Sequence, residues 1–445
     1  MHIRKHKYCL ISLIFVVNSI NIFIARPHKV PGRWQLIFYL LLVSVSQLVA
    51  QHQDYIVVDQ EGNGDFITLT AAINSLPMYN YERTSIFIKN GIYKEKVLIK
   101  QDNITLEGED RECTIIQYNQ LRSDWEESKD AIGPAVINLQ GDDIIIKNLT
   151  VKNTQPEIGP HAFAIYGTST RTILLDCDIM SNGGDTVSLW NYKSGMYYHA
   201  NCRFWGAVDF VCPRGWCFIK NSEFYEKMET AAIWHAGGYE RDQKLVIIDS
   251  KFDGVPGFKL GRHHYDAQFY LLNCQFSPQL SDDPIYRVTY PDEPARNRPF
   301  NWGKRYYFYN CHRQQGDFTW FGDNLETAPG NPKPADITTH WTFDGKWDPE
   351  SSDGPYIVNY NIEDTNLVLQ FSENISVVGK PQLISELSGS KFQYVSGSGS
   401  NTIILQIQGK IKSKNLSNLK IVNEGKLSGT MAAISDRPAD LNIKL

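Results

Sequence analysis

The chain has no CxxC pair, no Cys/His cluster at zinc-ligand spacing and, after the amino-terminal RKHK, no run of basic residues. The first two absences argue against a structural zinc site. The third, with a formal net charge of -5, argues against sequence-independent binding to nucleic acid. Beyond about residue 76 no long helical periodicity is found, which excludes the alternating strand–helix order of a doubly wound α/β fold. An uninterrupted membrane span is missing too. Asn18 and Asn21 break the apolar stretch that runs from Leu10 to Ala25, and Ser44, Ser46 and Gln47 thin the one from Leu36 to Ala50.

What is present begins with an export signal. Arg33, the run LIFYLLLVSV and QLVA ahead of Gln51 resemble a signal peptide cleaved after Ala50. Residues 1–50 are read as an export segment, the alternative being a retained anchor, and the mature chain is expected outside the cytoplasm: secreted, periplasmic or on the cell surface. With 445 residues, 42% apolar and 21% charged, the composition is that of a globular protein with room for two domains. The 12% aromatic content suits a carbohydrate surface as well as a core.

Eight cysteines in an exported chain ordinarily suggest disulfides. Here Cys177, Cys202, Cys274 and Cys311 each follow an Asn or Asp that ends an apolar run, as a repeated buried slot would require. That repetition organises the chain. The segments IIIKNLTV, TILLDCDI, MYYHANCRF, WCFIKNSEF, LVIIDSKF, FYLLNCQF and YYFYNCHR place Asn or Asp at 148, 176, 201, 221, 249, 273 and 310. Coils of roughly this length cannot bury their own apolar face, but stacked they share one core and align equivalent side chains in ladders. The expectation is an all-β right-handed parallel β-helix over residues 51–350, opened by a strand, a Gly-rich turn and a short helix from about Thr68 to Leu76. A β-sandwich, the alternative, requires closer spacing and hairpin turns. After the Pro/Gly/Ser-rich stretch WTFDGKWDPESSDGP the strands come closer together, and residues 354–445 read as a separate β-sandwich resembling bacterial immunoglobulin-like modules.

Candidate chemistry centres on WGAVDFVCPRG, where Asp209 sits in an apolar run. It is either a strand acid facing water or a held nucleophile, since an ion there needs compensation. Asp185 in GGDTVSLW lies about one coil earlier, so the two carboxylates are expected to stack, and like charges raise at least one pKa. One protonated and one ionised carboxyl group divide acid–base and nucleophilic roles. Arg262 in KLGRHHYD, two coils on, is expected to chelate Asp209 and lower its pKa.

GIYKEKV (Gly91, Tyr93, Glu95), GPHAFAIYG, GGDTVSLW, GAVDFV and LGRHH occur in the order of the signature blocks of pectin methylesterases. Over residues 54–320 the chain resembles a divergent, bacterial-type member of that family. The resemblance implies an aspartyl esterase acting on methyl esters of galacturonate. Asp209 then corresponds to the nucleophile, Asp185 to the group that protonates methanol and activates water, and Arg262 to the residue holding the nucleophile. It implies a pectin substrate, a monomer, and neither metal nor organic cofactor.

The departures are specific. Where the family has oxyanion-donating glutamines, this chain has His161 and Gly184, of which His161 retains an N–H donor and Gly184 only backbone. His263 and His264 replace the Pro-Trp of an LGRPW-like block, leaving Trp190, Trp205 or Trp234 to stack on sugar. Arg214 adds a cation suited to a polyuronate. A lyase or hydrolase on the same scaffold and a non-catalytic pectin-binding homologue are the competing readings. A calcium-binding carboxylate cluster, which a lyase would want, is not found.

Overall fold

The computed structural model describes residues 55–235, 240–386, 388–409, 418–434 and 443. The export segment lies outside them. Among the described residues no helix is long and apolar enough to cross a membrane. The main body is a right-handed parallel β-helix whose strands form three sheets of ten, eight and nine members, each coil adding one strand to each sheet in turn.

The Asn/Asp repeat marks the corner between the ten- and nine-stranded sheets. Asn148, Asp176, Asn201, Asn221, Asp249, Asn273 and Asn310 all have φ between 49° and 54°. This left-handed conformation is one that Asn and Asp tolerate better than other side chains that carry a Cβ. Neighbouring amides join across coils, Asn310 Nδ2 donating to Asn273 Oδ1 at 2.9 Å and Asn273 Nδ2 to Asp249 Oδ1 at 2.8 Å. The next position turns inward, which places Cys177, Cys202, Cys274 and Cys311 in the core; these four are unpaired, as are Cys212 and Cys217.

The helix expected near Thr68 spans Leu69–Asn74, and the Thr68 side chain caps it. Glu95 holds its first turn, accepting from the Leu69 and Thr70 backbone N–H groups at 2.9 Å each. Tyr93 donates to the Lys89 carbonyl. Two motif residues thus serve the fold rather than the chemistry. A second helix, Arg122–Glu127, has no counterpart in the sequence reading.

In the middle of the ten-stranded sheet the strands are buried on both faces, as Met196–Ala200 illustrates. The inner face lines the core, and the outer face is covered by residues 325–347, where Phe343 and Trp347 are almost wholly buried. Part of the stretch read as a linker is therefore packed against the β-helix. Beyond it an antiparallel module has its own core around Leu369, Phe392, Ile403 and Leu405. Its strand Asn366–Val378 is long enough to pair with Ile357–Glu363 and Ser400–Gln408 through one half and with Lys426–Gly429 through the other. Its seven described strands thereby belong to one antiparallel sheet. The segment after it returns to the β-helix. Ala432 N donates to Asp143 Oδ1 at 2.9 Å, and the Ala432 carbonyl accepts from Trp347 Nε1 at 2.8 Å. The Thr430 carbonyl accepts from Arg83.

Candidate active site

The eight-stranded sheet carries the candidate site. Its alternation sends Val187, Leu189, Val211 and Ile233 into the core, and the opposite-facing residues fall into two register columns, Tyr166–Ser188–Cys212 and Trp234–Arg262–Tyr286. Just ahead of strands Val187–Leu189 and Val211–Pro213 the chain turns left-handed, at Asp185 (φ 56°) and at the consecutive Val208 (48°) and Asp209 (56°). For a β-branched residue this conformation is an outlier, with a cost on the order of 1–3 kcal/mol. Backbone hydrogen bonds across the coils hold it: Asp185 N to Val208 O at 3.0 Å, and Asp209 N to Ala231 O at 2.7 Å. Because Val187 and Val211 are register partners, Asp185 and Asp209, each two residues earlier, occupy equivalent places on adjacent coils.

Arg262 grips Asp209 as expected. Its Nε reaches Oδ1 at 2.8 Å and Oδ2 at 3.1 Å, and its Nη2 reaches Oδ2 at 2.8 Å. Arg262 lowers the Asp209 pKa as expected, but it does not set the net direction. Burial pushes the carboxyl group up to about 6, outweighing Arg262, and the charge of Asp185 adds to the rise. Burial likewise pushes Asp185 up to about 6, opposed first by Arg214 and then by Ser188. The side chains are only 11% and 14% exposed. Asp209 is chelated by the Arg262 guanidinium, which favours its ionised form, whereas Asp185 has no chelating cation and is opposed in its rise by the charge of Arg214.

The candidate neighbours gather round this pair. His161 Nε2 is 3.8 Å from Asp185 Oδ1, and burial, reinforced by the Arg122 charge, lowers its pKa and favours the neutral imidazole. Gly184 lies opposite His161 in a two-stranded ladder. The Arg214 guanidinium lies 4.1 Å from the ring centre of Trp190 and 5.3 Å from that of Trp234, while its Nε is buried without a hydrogen-bond partner. Trp234 meets His264 edge-on, and His264 lines a cavity of about 250 Å³ with Tyr290, Arg296 and Arg298. Trp205 does not join them. It belongs to the nine-stranded sheet, in register with Met180 and Tyr225.

Sequence reasoning missed Arg122, Tyr166 and Ser188. Arg122, on the short helix, lies over the Trp190 ring, which Tyr166 meets edge-on. Ser188 accepts from Trp190 Nε1 at 2.7 Å and donates to Asp185 Oδ2 at 3.4 Å. Period-two alternation from Val187 could have exposed Ser188, and the same rule applied to Ile165 would have exposed Tyr166. No local signal reports Arg122. Among the described residues no group of three or more His, Cys, Asp or Glu side chains could hold a metal ion. A larger cleft of about 490 Å³ lies on the Asn/Asp corner, lined by Asp249, Asn273, Asn310 and Arg313; it contains none of the candidate residues.

Residues 55–236 match the family model described as Pectinesterase. Pectinesterase 4 of Arabidopsis thaliana is 29% identical over 242 residues, covering 54% of this chain and 37% of that protein. Pectinesterase 31 of the same plant is 28% identical over 181 residues, 39% of this chain and 56% of its own length. The chain therefore spans between about a third and just over half of these curated relatives. Among solved structures, pectin methylesterase PemA from Erwinia chrysanthemi superposes with a TM-score of 0.53 at 18% identity, covering 67% of this chain and 99% of that one. The pectin methylesterase from carrot gives 0.52 at 18%, covering 65% and 93%. At this identity the solved structures speak for the fold alone.

Proposed function

We propose that this chain, which belongs through residues 55–236 to the pectinesterase family, hydrolyses methyl esters of galacturonate in pectin through an aspartyl acyl-enzyme. The observation that carries the reading is the Arg262 chelate of Asp209 beside the unchelated Asp185. In this scheme the Asp209 carboxylate attacks the C6 carbonyl, and the resulting oxyanion faces the His161 N–H and the backbone at Gly184. As the C–O bond to the methoxy group breaks, Asp185 gives its proton to the departing oxygen and methanol leaves. Asp185, now ionised, takes a proton from water. The hydroxide attacks the Asp209 acyl bond, the free galacturonate departs and both carboxyl groups return to their starting states. Donors aimed at a developing oxyanion are each worth on the order of 10²-fold or more in rate.

The flanking surface fits a sugar chain bearing carboxylates. Trp190 and Trp234 offer aromatic faces, and Arg214, with Arg296 and Arg298 around His264, offers cations in a chain of net negative charge. The same reading makes the protein an exported monomer, with its C-terminal module of immunoglobulin-like type.

Methanol release from methyl-esterified galacturonides tests the reaction. Asp209→Ala is expected to abolish release while leaving the far-ultraviolet spectrum unchanged; turnover at the wild-type level would remove Asp209 as nucleophile. An unsaturated product or new reducing ends in place of methanol would establish a lyase or hydrolase instead.

A further inference from the structure

Trp205 does not reach the aspartate pair, and its surroundings on the nine-stranded sheet form a surface of their own. Alternation along strand Arg203–Gly206 turns Phe204 into the core and Arg203 and Trp205 outward. The same rule turns Tyr225 outward on the next strand, where it is 36% exposed. Met180, Trp205 and Tyr225 are register partners on three successive strands, each about 4.8 Å from the next across the sheet. Lys152 flanks this outward column before Met180, and Asp253 flanks it after Tyr225. A cavity of about 230 Å³ has Trp205, Tyr225 and Lys251 in its walls.

We propose that this column is a second binding surface for the polysaccharide, holding a methyl-esterified, uncharged stretch of the same chain that enters the candidate active site. The choice of polymer rests on the esterase reading. Reach supports it first. Trp205 and Asp209 are four residues apart in one coil, on either side of the corner between the nine- and eight-stranded sheets, so their Cα atoms are no more than about 14 Å apart. A polysaccharide of a few sugar residues spans that distance, and a hold on one part of a chain raises the effective concentration of its other esters at the site.

Charge selects the uncharged stretch. Arg203 is paired with Asp178 and Glu112, and its guanidinium lies 5.6 Å from the ring centre of Trp205. Lys251 faces Glu223 at 3.7 Å, and Lys152 and Asp253 at the two ends are of opposite sign. Cations matched by acids offer little to a polyanion, in contrast to Arg214, Arg296 and Arg298 beside the aspartates. Aromatic rings instead take the apolar face of a sugar, and a methyl ester adds apolar area while removing the carboxylate charge. A stretch that has passed through the site carries carboxylates and loses this hold.

Native electrophoresis through gels containing polymer tests the surface in the full chain carrying Asp209→Ala, so that the polymer is not altered. Highly methyl-esterified pectin is expected to retard this protein. Adding Trp205→Ala and Tyr225→Ala is expected to weaken the apparent affinity about tenfold and to leave mobility in polygalacturonate unchanged. With Asp209 intact, the same two substitutions are expected to raise KM on the polymer about tenfold at unchanged kcat, and to match wild type on a methyl-esterified trigalacturonide. Equal affinity for esterified pectin with and without the two rings, an equal loss toward polygalacturonate, or a polymer KM at the wild-type value overturns the proposal. So does a wild-type dimer in sedimentation that the two substitutions dissociate, since the rings then cover a second copy. If the double variant does not fold, Tyr225→Ala alone is expected to cost about threefold, and no loss there overturns the proposal. Ring-dependent retardation of a chain that releases no methanol upholds the surface and contradicts the esterase reading alone.

Discussion

Replacing Arg262 by Ala probes the candidate site where its electrostatics are most concentrated. The guanidinium makes three contacts of 2.8 to 3.1 Å with Asp209, and an opposite charge this close ordinarily lowers a carboxyl pKa by about one to three pH units. Without it, Asp209 becomes a weaker acid than Asp185, which has the same raised pKa of about 6. The proton of the pair then moves to Asp209, leaving the nucleophile neutral and the acid ionised. Losing the cation also raises the pKa values of the pair, so the bell of kcat/KM against pH shifts to higher pH while its height falls by about 10- to 10³-fold, the population ratio of the two protonation arrangements. Stability carries the matching signal. Wild-type Asp209 is protonated below about 6, where the substitution removes only packing. Above that pH the variant's folded state holds its proton more tightly than the wild type's. Its relative stability therefore drops by about 1.4 kcal/mol per pH unit until its own raised pKa is passed, a total of about 1.4–4 kcal/mol. Methanol-release kinetics from pH 4 to 9 and thermal melts at pH 5 and 8 measure both. A variant within threefold of wild type at every pH, or an equal loss of stability at pH 5 and 8, refutes the chelate's role.

Three further outcomes are expected. Asp185→Asn removes a carboxyl group whose folded-state pKa is raised from 3.8 to about 6, so the variant matches wild type in stability near pH 4 and exceeds it by up to about 3 kcal/mol at pH 8; melts with a pH-independent difference contradict this. His161→Ala is expected to lower kcat more than it raises KM, and an unchanged kcat in steady-state assays removes His161 from the oxyanion site. Arg214→Gln is expected to raise KM roughly tenfold for galacturonides that carry free carboxylates, leaving fully esterified ones little affected; equal changes for both would show that Arg214 does not read charge.

The repeat of Asn and Asp at coil ends made the β-helix legible, because a left-handed corner constrains one residue type at one place in each coil. Spacing alone also placed Asp185 over Asp209 and Arg262 two coils on. It could not weigh burial against the guanidinium, and the net direction at Asp209 depends on that balance. Nor could it sort the tryptophans: Trp190 and Trp234 reach the site, whereas Trp205 belongs to another sheet, a difference of coil geometry rather than residue type. Arg122 arrives on a short helix outside the repeat, a position that carries no periodic signal.

The segment that returns from the C-terminal module to Asp143 and Trp347 alters how the molecule comes apart. In a simple solenoid each coil touches only its neighbours, so the array can fray from either end and lose coils one at a time. Here Asp143, in an early coil, is bonded to Ala432 and to Arg171 of the next coil, and Trp347 lies against the ten-stranded sheet. An early coil cannot peel away without releasing a strap from the far end of the chain. The clasp closes a linear stack into a ring of dependencies, and cooperativity, rather than any single contact, is what it contributes to the protein.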